Sequence, residues 1–390
     1  MRRVSIAERR ARLGRRHHLA REAAARDVVQ VAGDLCGLHA TDPSSVFLSA
    51  SARLAAREVE AIEHALYVDR SLVRMLGMRR TMFVVPRDLA AVVQASSTLA
   101  LLPVERRTSL QLLTQAGVEG PEAWLADAEQ ATFAALGELG EATAVELSKF
   151  VPQLRQQVVG APGTKWAATQ GMSGRVLMLL AAEGRVVRGR PRGSWISSQY
   201  RWARMDAWLG APLDELSVEE AQVELARRWL AAFGPGTAAD LRWWTGWTVA
   251  NVRRALAKLD PVEVDLEHGT GLVLPGDLEP VPGTEPWVAL LPSLDPTAMG
   301  WTERGWYLGE HREHLFDRSG NIGPTIWCDG RIVGGWAQRK DGDVAVRLLE
   351  DVGGEAAAAV ELEAGRVAEW LGPLRVTPRF RTPLARELTA

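Results

Sequence analysis

A capped helix start that occurs twice in the chain decides the fold. The first copy is Gly140-Glu141-Ala142-Thr143-Ala144-Val145-Glu146-Leu147, and the second is Gly236-Thr237-Ala238-Ala239-Asp240-Leu241. In the first copy Thr143 is placed to cap a helix, and Glu146 stands three residues later, which is capping-box spacing. Each copy lies between two segments of helical periodicity. Each therefore predicts the turn into the second of three helices.

A predicted strand pair follows each group of three helices. Residues 186–193 predict a strand and an arginine-rich turn, and residues 262–274 predict a hairpin with regular apolar alternation. Three helices followed by a hairpin are typical of a winged helix, and the repetition predicts tandem winged-helix domains. The first domain, in which helical segments precede extended segments within residues 72–86, is a candidate third copy. From about residue 281 the pattern changes to short strands and then to a helix over 355–370, which predicts a small β-domain.

The bulk composition indicates a multidomain protein of a reducing cytoplasm. With 390 residues, 47% of them apolar and 24% charged, the chain should form about two to four domains. No apolar run of about 18 residues predicts a membrane span. Cys36 and Cys328 stand far apart, so no disulfide framework, zinc ribbon or iron–sulfur cluster is predicted. We expect neither a cofactor nor a metal ion.

The net charge of −2 conceals two basic islands. Residues 1–26 hold nine arginines against Glu8 and Glu22, and residues 183–204 hold six against Glu183 alone. Local field rather than total charge sets phosphate attraction, so these islands can bind a polyanion. Solvated helix faces are the alternative for the first island. For the second we favour phosphate contact.

A polar pair stands where an apolar helical run meets a turn, in Gly37-Leu38-His39-Ala40-Thr41-Asp42-Pro43. Side chains two residues apart point the same way only in extended backbone, so His39 and Thr41 can project into one pocket. Asp42 has two interpretations: it orients His39, or it caps the turn before Pro43.

The chain resembles the AlkZ/YcaQ winged-helix DNA glycosylases in motifs that keep their order along most of its length. These motifs are residues 35–53, residues 72–86, Asp240-Leu241-Arg242-Trp243-Trp244-Thr245-Gly246, Leu290-Leu291-Pro292-Ser293-Leu294-Asp295-Pro296 and residues 324–334. The resemblance implies an α+β fold with three tandem winged-helix domains and a C-terminal β-barrel. We therefore expect domains at residues 1–120, 121–210, 211–280 and 281–390.

The resemblance also implies where the chemistry lies. The family's catalytic pair is Gln-x-Gln or Gln-x-Asp, and His39 and Thr41 occupy the corresponding positions. Both residues can hold or polarise a water molecule, and histidine can act as a base near neutral pH. We predict a variant active site. The rival interpretation is a relative that binds DNA and has lost activity.

Further residues are predicted to contact DNA, and all of them except Lys165 have a purely structural alternative as part of a wing or an exposed loop. They are Arg79 and Arg80 in the first strand pair, Lys165 in a recognition helix, Arg188, Arg190 and Arg192 in a wing, and Arg318 and Asn321 in a polar loop.

These expectations combine into one function. We expect a monofunctional DNA glycosylase that removes bulky N7-alkylguanine adducts from double-stranded DNA, as self-resistance to a DNA-alkylating natural product. The chain has four lysines and none before Lys149, so a lysine Schiff base is not expected. A non-catalytic winged-helix regulator is the alternative. We expect a monomer in the cytoplasm, associated with the nucleoid and not with a membrane.

Overall fold

The structure, a computed structural model, describes residues 1–160, 167–267 and 269–390. Its helices are α1 Ile6–Arg16, α2 Val28–Asp34, α3 Pro43–Ser51, α4 Val59–Tyr67, α5 Arg87–Val93, α6 Leu102–Gln115, α7 Pro121–Leu139, α8 Ala144–Phe150, α9 Ser173–Ala182, α10 Met205–Leu209, α11 Val218–Phe233, α12 Ala238–Thr245, α13 Val249–Leu259, α14 Gly305–Leu308, α15 Arg312–Leu315, α16 Gly354–Leu371 and α17 Pro383–Glu387. Its strands are β1 Arg2–Arg3, β2 Leu38–His39, β3 Leu72–Leu76, β4 Met82–Pro86, β5 Glu141–Thr143, β6 Gln157–Gly160, β7 Ala168–Gly171, β8 Val186–Pro191, β9 Tyr200–Arg204, β10 Val262–Leu266, β11 Gly269–Val273, β12 Val288–Leu291, β13 Thr325–Cys328, β14 Arg331–Gln338 and β15 Val344–Leu348.

Capping explains why several helices begin where they do. Thr143 and Glu146 form the predicted capping box at the start of α8, and Thr237 forms a second one with Asp240 at the start of α12. The N-terminal segment of residues 5–38, which has helical periodicity, is interrupted in the structure. Its two parts are α1 and α2, separated by a connection in which His18 has a positive φ of 55°.

The same order of elements recurs three times. α2, β2, α3 and α4 lead to the hairpin β3–β4, and the strand order is β2-β4-β3. α7, β5, α8 and α9 lead to the hairpin β8–β9, with the order β5-β9-β8. α11, α12 and α13 precede the hairpin β10–β11, where Gly236 bridges to Leu272 and β1 adds to the edge at β10. The domain boundaries at residues 120, 210 and 280 stay a prediction.

The C-terminal sheet is open, so the predicted β-barrel is wrong. Its four antiparallel strands follow the order β12-β13-β14-β15, and within the described residues the edge strands β12 and β15 do not pair with each other. The physical reason is α16, which packs against both edge strands where a barrel would have joined them. The tight turn from β13 to β14 is the predicted one, with Asp329 at φ 47° and Gly330 at φ 80°.

Two main hydrophobic cores share the sheet β5-β9-β8. One core joins residues 13–95 to residues 187–384, and the other is formed within residues 112–202. In β8, Val186 lies in the second core and Val187 in the first; in β9, Trp202 and Ala203 divide in the same way. Alternate residues of a strand face opposite sides, so this sheet fixes the middle segment against the rest of the protein. In the described part of the chain, no helix is both long and apolar enough to cross a membrane.

Candidate active site

β2 holds His39 in the first sheet. His39 pairs with Phe83 of β4, and the amide of Ala40 donates to the carbonyl oxygen of Met82 at 2.7 Å. Gly37, at φ 106°, turns the chain from α2 into this strand, and a Cβ there would lie 2.9 Å from a β4 side chain. The extended conformation of the motif therefore depends on a glycine at position 37.

Helix α3 begins directly after the motif, and Asp42 is its N-cap. Oδ1 of Asp42 accepts hydrogen bonds from N and Oγ of Ser44 at 3.1 and 2.7 Å, and Oδ2 accepts one from the backbone N–H of Arg379 at 3.0 Å. Pro43 occupies the first turn, where a helix leaves an N–H unpaired in any case. Both carboxylate oxygens are thus engaged away from His39, which confirms the capping interpretation.

His39 and Thr41 each carry a polar atom that is buried without a partner. Nδ1 of His39 and Oγ1 of Thr41 have no hydrogen-bonding group within reach in the described chain and almost no exposure to solvent. Leaving a buried polar group unpaired costs about 1–3 kcal/mol. Such groups in a native protein call for an explanation, and a catalytic role is one of the usual ones. The two atoms are available to a water molecule or a substrate group.

The imidazole of His39 is neutral at physiological pH. The residue is 5% exposed, and its ring centroid lies 5.2 Å from that of Phe83. Burial, together with the positive charge of nearby Arg79, lowers the pKa of His39 to about 3. A neutral imidazole can accept a hydrogen bond through one nitrogen, but with so low a pKa it is a weak base.

The turn between β3 and β4 carries Arg79, whose positive charge acts on this imidazole. Arg79 has a φ of 51°, and its Cζ lies 4.0 Å from the ring centroid of Trp243 in α12. Arg304, in the loop before α14, packs over the same ring at 4.6 Å. Burial and the charge of Arg304 lower the pKa of Arg79 to about 10. This group joins the hairpin, the third helical segment and the C-terminal segment.

A second group of arginines contacts the backbone of the motif through Arg74. Arg74 of β3 is 2% exposed, donates to the carbonyl oxygen of Ala40 at 3.4 Å and packs 4.8 Å from the ring centroid of Tyr200. Arg188 of β8 packs over the same ring at 5.5 Å. Burial lowers the pKa of Arg188 to about 10; Tyr200 opposes this effect, and Arg74 adds to it. Of the predicted DNA contacts, Arg79 and Arg188 are therefore the two connected to the motif.

Three other predicted DNA contacts have partners within the protein. These partners are Glu105 for Arg80, Glu63 for Arg190 and Asp317 for Asn321. Arg192 and Arg318 are exposed. Lys165 lies outside the described residues. DNA contact stays a prediction for all six.

Sequence reasoning did not single out Arg74, Tyr200 or Arg304. Arg74 had a usable signal, because a lone charge inside an apolar strand is unusual unless it has a function. Arg304 had none, since only the folded chain brings it to Trp243.

A large cavity lies away from the motif. It measures about 1240 Å³ and is lined by residues such as Leu19, Arg57 and Leu362, but not by His39 or Thr41. The unpartnered atoms and the adjacent arginines, rather than cavity size, mark His39 and Thr41 as the candidate site.

Comparison with known families decides the identity. The family model described as DNA glycosylase AlkZ-like matches residues 32–370, which include the whole motif. The chain belongs to the AlkZ-like DNA glycosylase family. AlkZ-like DNA glycosylases are enzymes that hydrolyse N-glycosidic bonds in DNA, so the alternative of a non-catalytic regulator is not supported.

Individual relatives agree with this AlkZ-like assignment. An interstrand DNA cross-link repair glycosylase of Streptomyces sahachiroi is 27% identical over 365 residues, which cover 90% of this chain and 92% of the relative. The solved structure of the Streptomyces sahachiroi DNA glycosylase AlkZ matches with a TM-score of 0.72 over 97% of this chain and 99% of that chain, at 24% identity. The second match shows that the AlkZ-like chain shares the fold.

Proposed function

We propose that this AlkZ-like DNA glycosylase removes bulky N7-alkylguanine adducts, with His39 and Thr41 as its catalytic residues. The supporting observation is the pair of buried, unpartnered atoms at the positions that correspond to the family's catalytic pair. A degenerate site would have no reason to retain two polar groups whose burial costs stability.

The chemistry needs little acid catalysis. An N7-alkylated guanine carries a positive charge, so it can leave without being protonated. The enzyme must stabilise the oxocarbenium-like sugar and hold a water molecule on its far face. Neutral His39 accepts a hydrogen bond from this water, and Thr41 orients it. Because the pKa of His39 is about 3, proton transfer to the imidazole is not the driving step, and the proton leaves to solvent after the C–O bond has formed.

The product is an abasic site in an intact strand. The described lysines are Lys149, Lys258 and Lys340, all on elements other than those that carry the motif. Because no described lysine lies on the elements of the motif, we expect no Schiff base at C1′ and no lyase step.

The DNA-binding surface is the finer part of the proposal. The repeated element order supports three winged helices, within residues 1–120, 121–210 and 211–280, followed by an open β-domain over 281–390. Wings and helices of this kind contact grooves and backbone. A bulky adduct stays outside the protein, since the motif does not line the cavity described above. We further propose a monomer that acts on double-stranded DNA in the cytoplasm of an organism that makes a DNA-alkylating toxin.

The test uses duplexes that each carry one defined N7-alkylguanine, from methyl to polycyclic substituents, and one duplex with an interstrand cross-link. Wild-type protein and His39→Ala are compared in single-turnover reactions, with the freed base identified by mass spectrometry. Alkali then reveals the abasic site. We expect release by wild type and a loss of about 10²–10⁴-fold in the variant. Release of no adduct, or equal rates for the two proteins, would overturn the proposal.

A further inference from the structure

Two arginines from distant parts of the chain pack over the side chain of Trp243. Arg79 lies at the tip of the β3–β4 hairpin, Arg304 lies before α14, and both guanidinium groups pack over the indole ring, at 4.0 and 4.6 Å. Gly246, at φ 77°, ends α12 beside them, and a Cβ there would lie 3.2 Å from Cγ of Arg79. The backbone at Gly246 therefore lies close to Arg79 and limits the positions that the first atoms of its side chain can take.

Neither guanidinium has a counter-ion among the residues that the structure describes. Nε of Arg79 and both Nε and Nη2 of Arg304 are buried without a hydrogen-bond partner, and no carboxylate of the described chain lies within 4 Å of either group. Arg80, the next residue in the same turn, is by contrast paired with Glu105. Arg304 is buried and Arg79 is half-buried, so two like charges left unpaired there are unfavourable in the free protein.

The acidic groups nearby are used elsewhere or face solvent. Oδ1 of Asp240 accepts from the amides of Thr302 and Glu303 at 2.9 and 3.1 Å, and Oδ2 accepts from Thr237. The Glu303 side chain is exposed. Within the described chain no acidic side chain pairs with Arg79 or Arg304, so both are available to an anion from outside the protein.

We propose that Arg79 and Arg304 together bind one phosphodiester of the damaged strand, with Trp243 fixing the spacing of their guanidinium groups. Planar guanidinium groups match the geometry of phosphate oxygens and are less strongly hydrated than ammonium groups. The phosphodiester lies next to the lesion because the turn that carries Arg79 leads directly into β4, whose Phe83 pairs with His39. The assignment of the strand rests on the proposed function; the existence of the anion site does not.

The bound phosphodiester also serves the reaction. A cationic base and an oxocarbenium-like sugar at His39 would be repelled by the two uncompensated arginines that pack on Trp243. Once a phosphodiester neutralises one charge and leaves the other hydrogen-bonded to its oxygens, that repulsion falls. The DNA substrate thus supplies the negative charge that lets the site accommodate the cationic transition state of base release.

The experiment measures binding to duplexes that contain a tetrahydrofuran abasic-site analogue and, in turn, one neutral methylphosphonate at each linkage around it. For wild type we expect one linkage at which neutralisation weakens binding by about tenfold or more. Arg304→Gln and Arg79→Gln should bind more weakly and should be insensitive to neutralisation at that same linkage. The slope of log Kd against log salt concentration should fall by about one in each variant. Arg347→Gln, which removes an exposed arginine paired with Glu387, should behave as wild type.

Several outcomes would overturn the inference. If neutralisation at each linkage weakens DNA binding by Arg304→Gln as much as it weakens binding by wild type, Arg304 does not contact the DNA backbone. If inorganic phosphate alone saturates the protein at low millimolar concentration and no methylphosphonate has an effect, the site belongs to a free anion. If Arg304→Gln does not fold, the test is the same methylphosphonate scan with wild type and Arg79→Gln: sensitivity of Arg79→Gln at the linkage that is critical for wild type would overturn the inference. Because this binding assay requires no base release, a failure of the proposed glycosylase chemistry would be visible separately.

Discussion

Arg53 and Asp295 form an ion pair that is completely closed to solvent. Nη2 of Arg53 donates to Oδ1 of Asp295 at 2.7 Å, and Nη1 donates to Oδ2 at 2.9 Å. Burial alone would raise the pKa of Asp295, but Arg53 and the hydroxyl of Ser49 hold it below its usual value. The pair attaches the end of α3, the helix that directly follows His39 and Thr41, to the loop after β12.

Removing one partner of this pair should destabilise the protein strongly. Asp295→Ala leaves the Arg53 guanidinium buried and uncompensated, so we expect the free energy of unfolding to fall by about 3–5 kcal/mol. Denaturant titration followed by tryptophan fluorescence measures the change. The matched control is Glu387→Ala, which breaks an exposed pair with Arg347 and should cost about 0–1 kcal/mol. A loss at Asp295 as small as that of the control would contradict the expectation.

Stability should decline as the pH falls below about 6.5. Burial lowers the pKa values of His39 and His17 to about 3. The folded state leaves both imidazoles neutral while the unfolded chain protonates them. Their contribution is therefore complete above the unfolded value of 6.5 and is lost as the pH drops toward 3, at roughly 1.4 kcal/mol per pH unit for each group. Unfolding titrations at pH 7.5, 6.0 and 5.0 test this. His39→Phe should show a slope smaller by about that amount, and an unchanged slope would refute the assignment.

The rate of base release should be independent of pH between about 5 and 9. A histidine that acted as a base with an ordinary pKa would lose activity about tenfold per pH unit below 6.5. A hydrogen-bond acceptor that stays neutral over this range causes no such fall in the rate. Single-turnover rates with one stable adduct across this range decide the matter. An inflection of the rate between pH 6 and 7 would contradict this expectation and indicate proton transfer to His39.

Replacement of His39 by another neutral acceptor should preserve much of the activity. His39→Gln keeps a group that can hold the water molecule, so we expect base release within about tenfold of wild type. His39→Leu removes the acceptor and should cost about 10²–10³-fold. Thermal unfolding of both variants controls for folding. Equal losses in the two variants would mean that the hydrogen bond is not what His39 contributes.

Asp42 should prove structural rather than catalytic. Asp42→Asn retains an oxygen that can cap α3, so activity near that of wild type is expected. Asp42→Ala removes the cap and the bond to the Arg379 amide, which should lower stability by about 1–2 kcal/mol. Comparison of Tm and base-release rate for both variants checks this. A large rate loss in Asp42→Asn without a change in Tm would instead connect Asp42 to the chemistry.

The features predicted from the sequence are those with local causes. The capping box of Thr143 and Glu146, the hairpin turn at Asp329-Gly330 and the helix over 355–370 all depend on neighbours within a few residues. The barrel prediction was wrong because closure of a sheet depends on what packs against its edges, and α16 packs there.

Long-range partners explain what the sequence could not reveal at the candidate site. His39 and Thr41 could be singled out in advance, but the neutrality of His39 depends on its burial in the folded chain. The packing of Arg304 on Trp243 is likewise a tertiary contact with no local signature. Arg80 and Arg190 were predicted to contact DNA, and their acidic partners, Glu105 of α6 and Glu63 of α4, could not be foreseen because they lie far away in the sequence.

Strand β1 pairs with a strand that is synthesised much later, β10. Arg2 and Arg3 of β1 pair in parallel with Val264 and Asp265 of β10. At roughly 5–20 residues per second, a ribosome produces those partners on the order of 10–50 s after β1. The core within residues 112–202 is complete before then. Strand β1 therefore cannot dock on the sheet until β10 has been synthesised, and its pairing is a late step of folding on the ribosome.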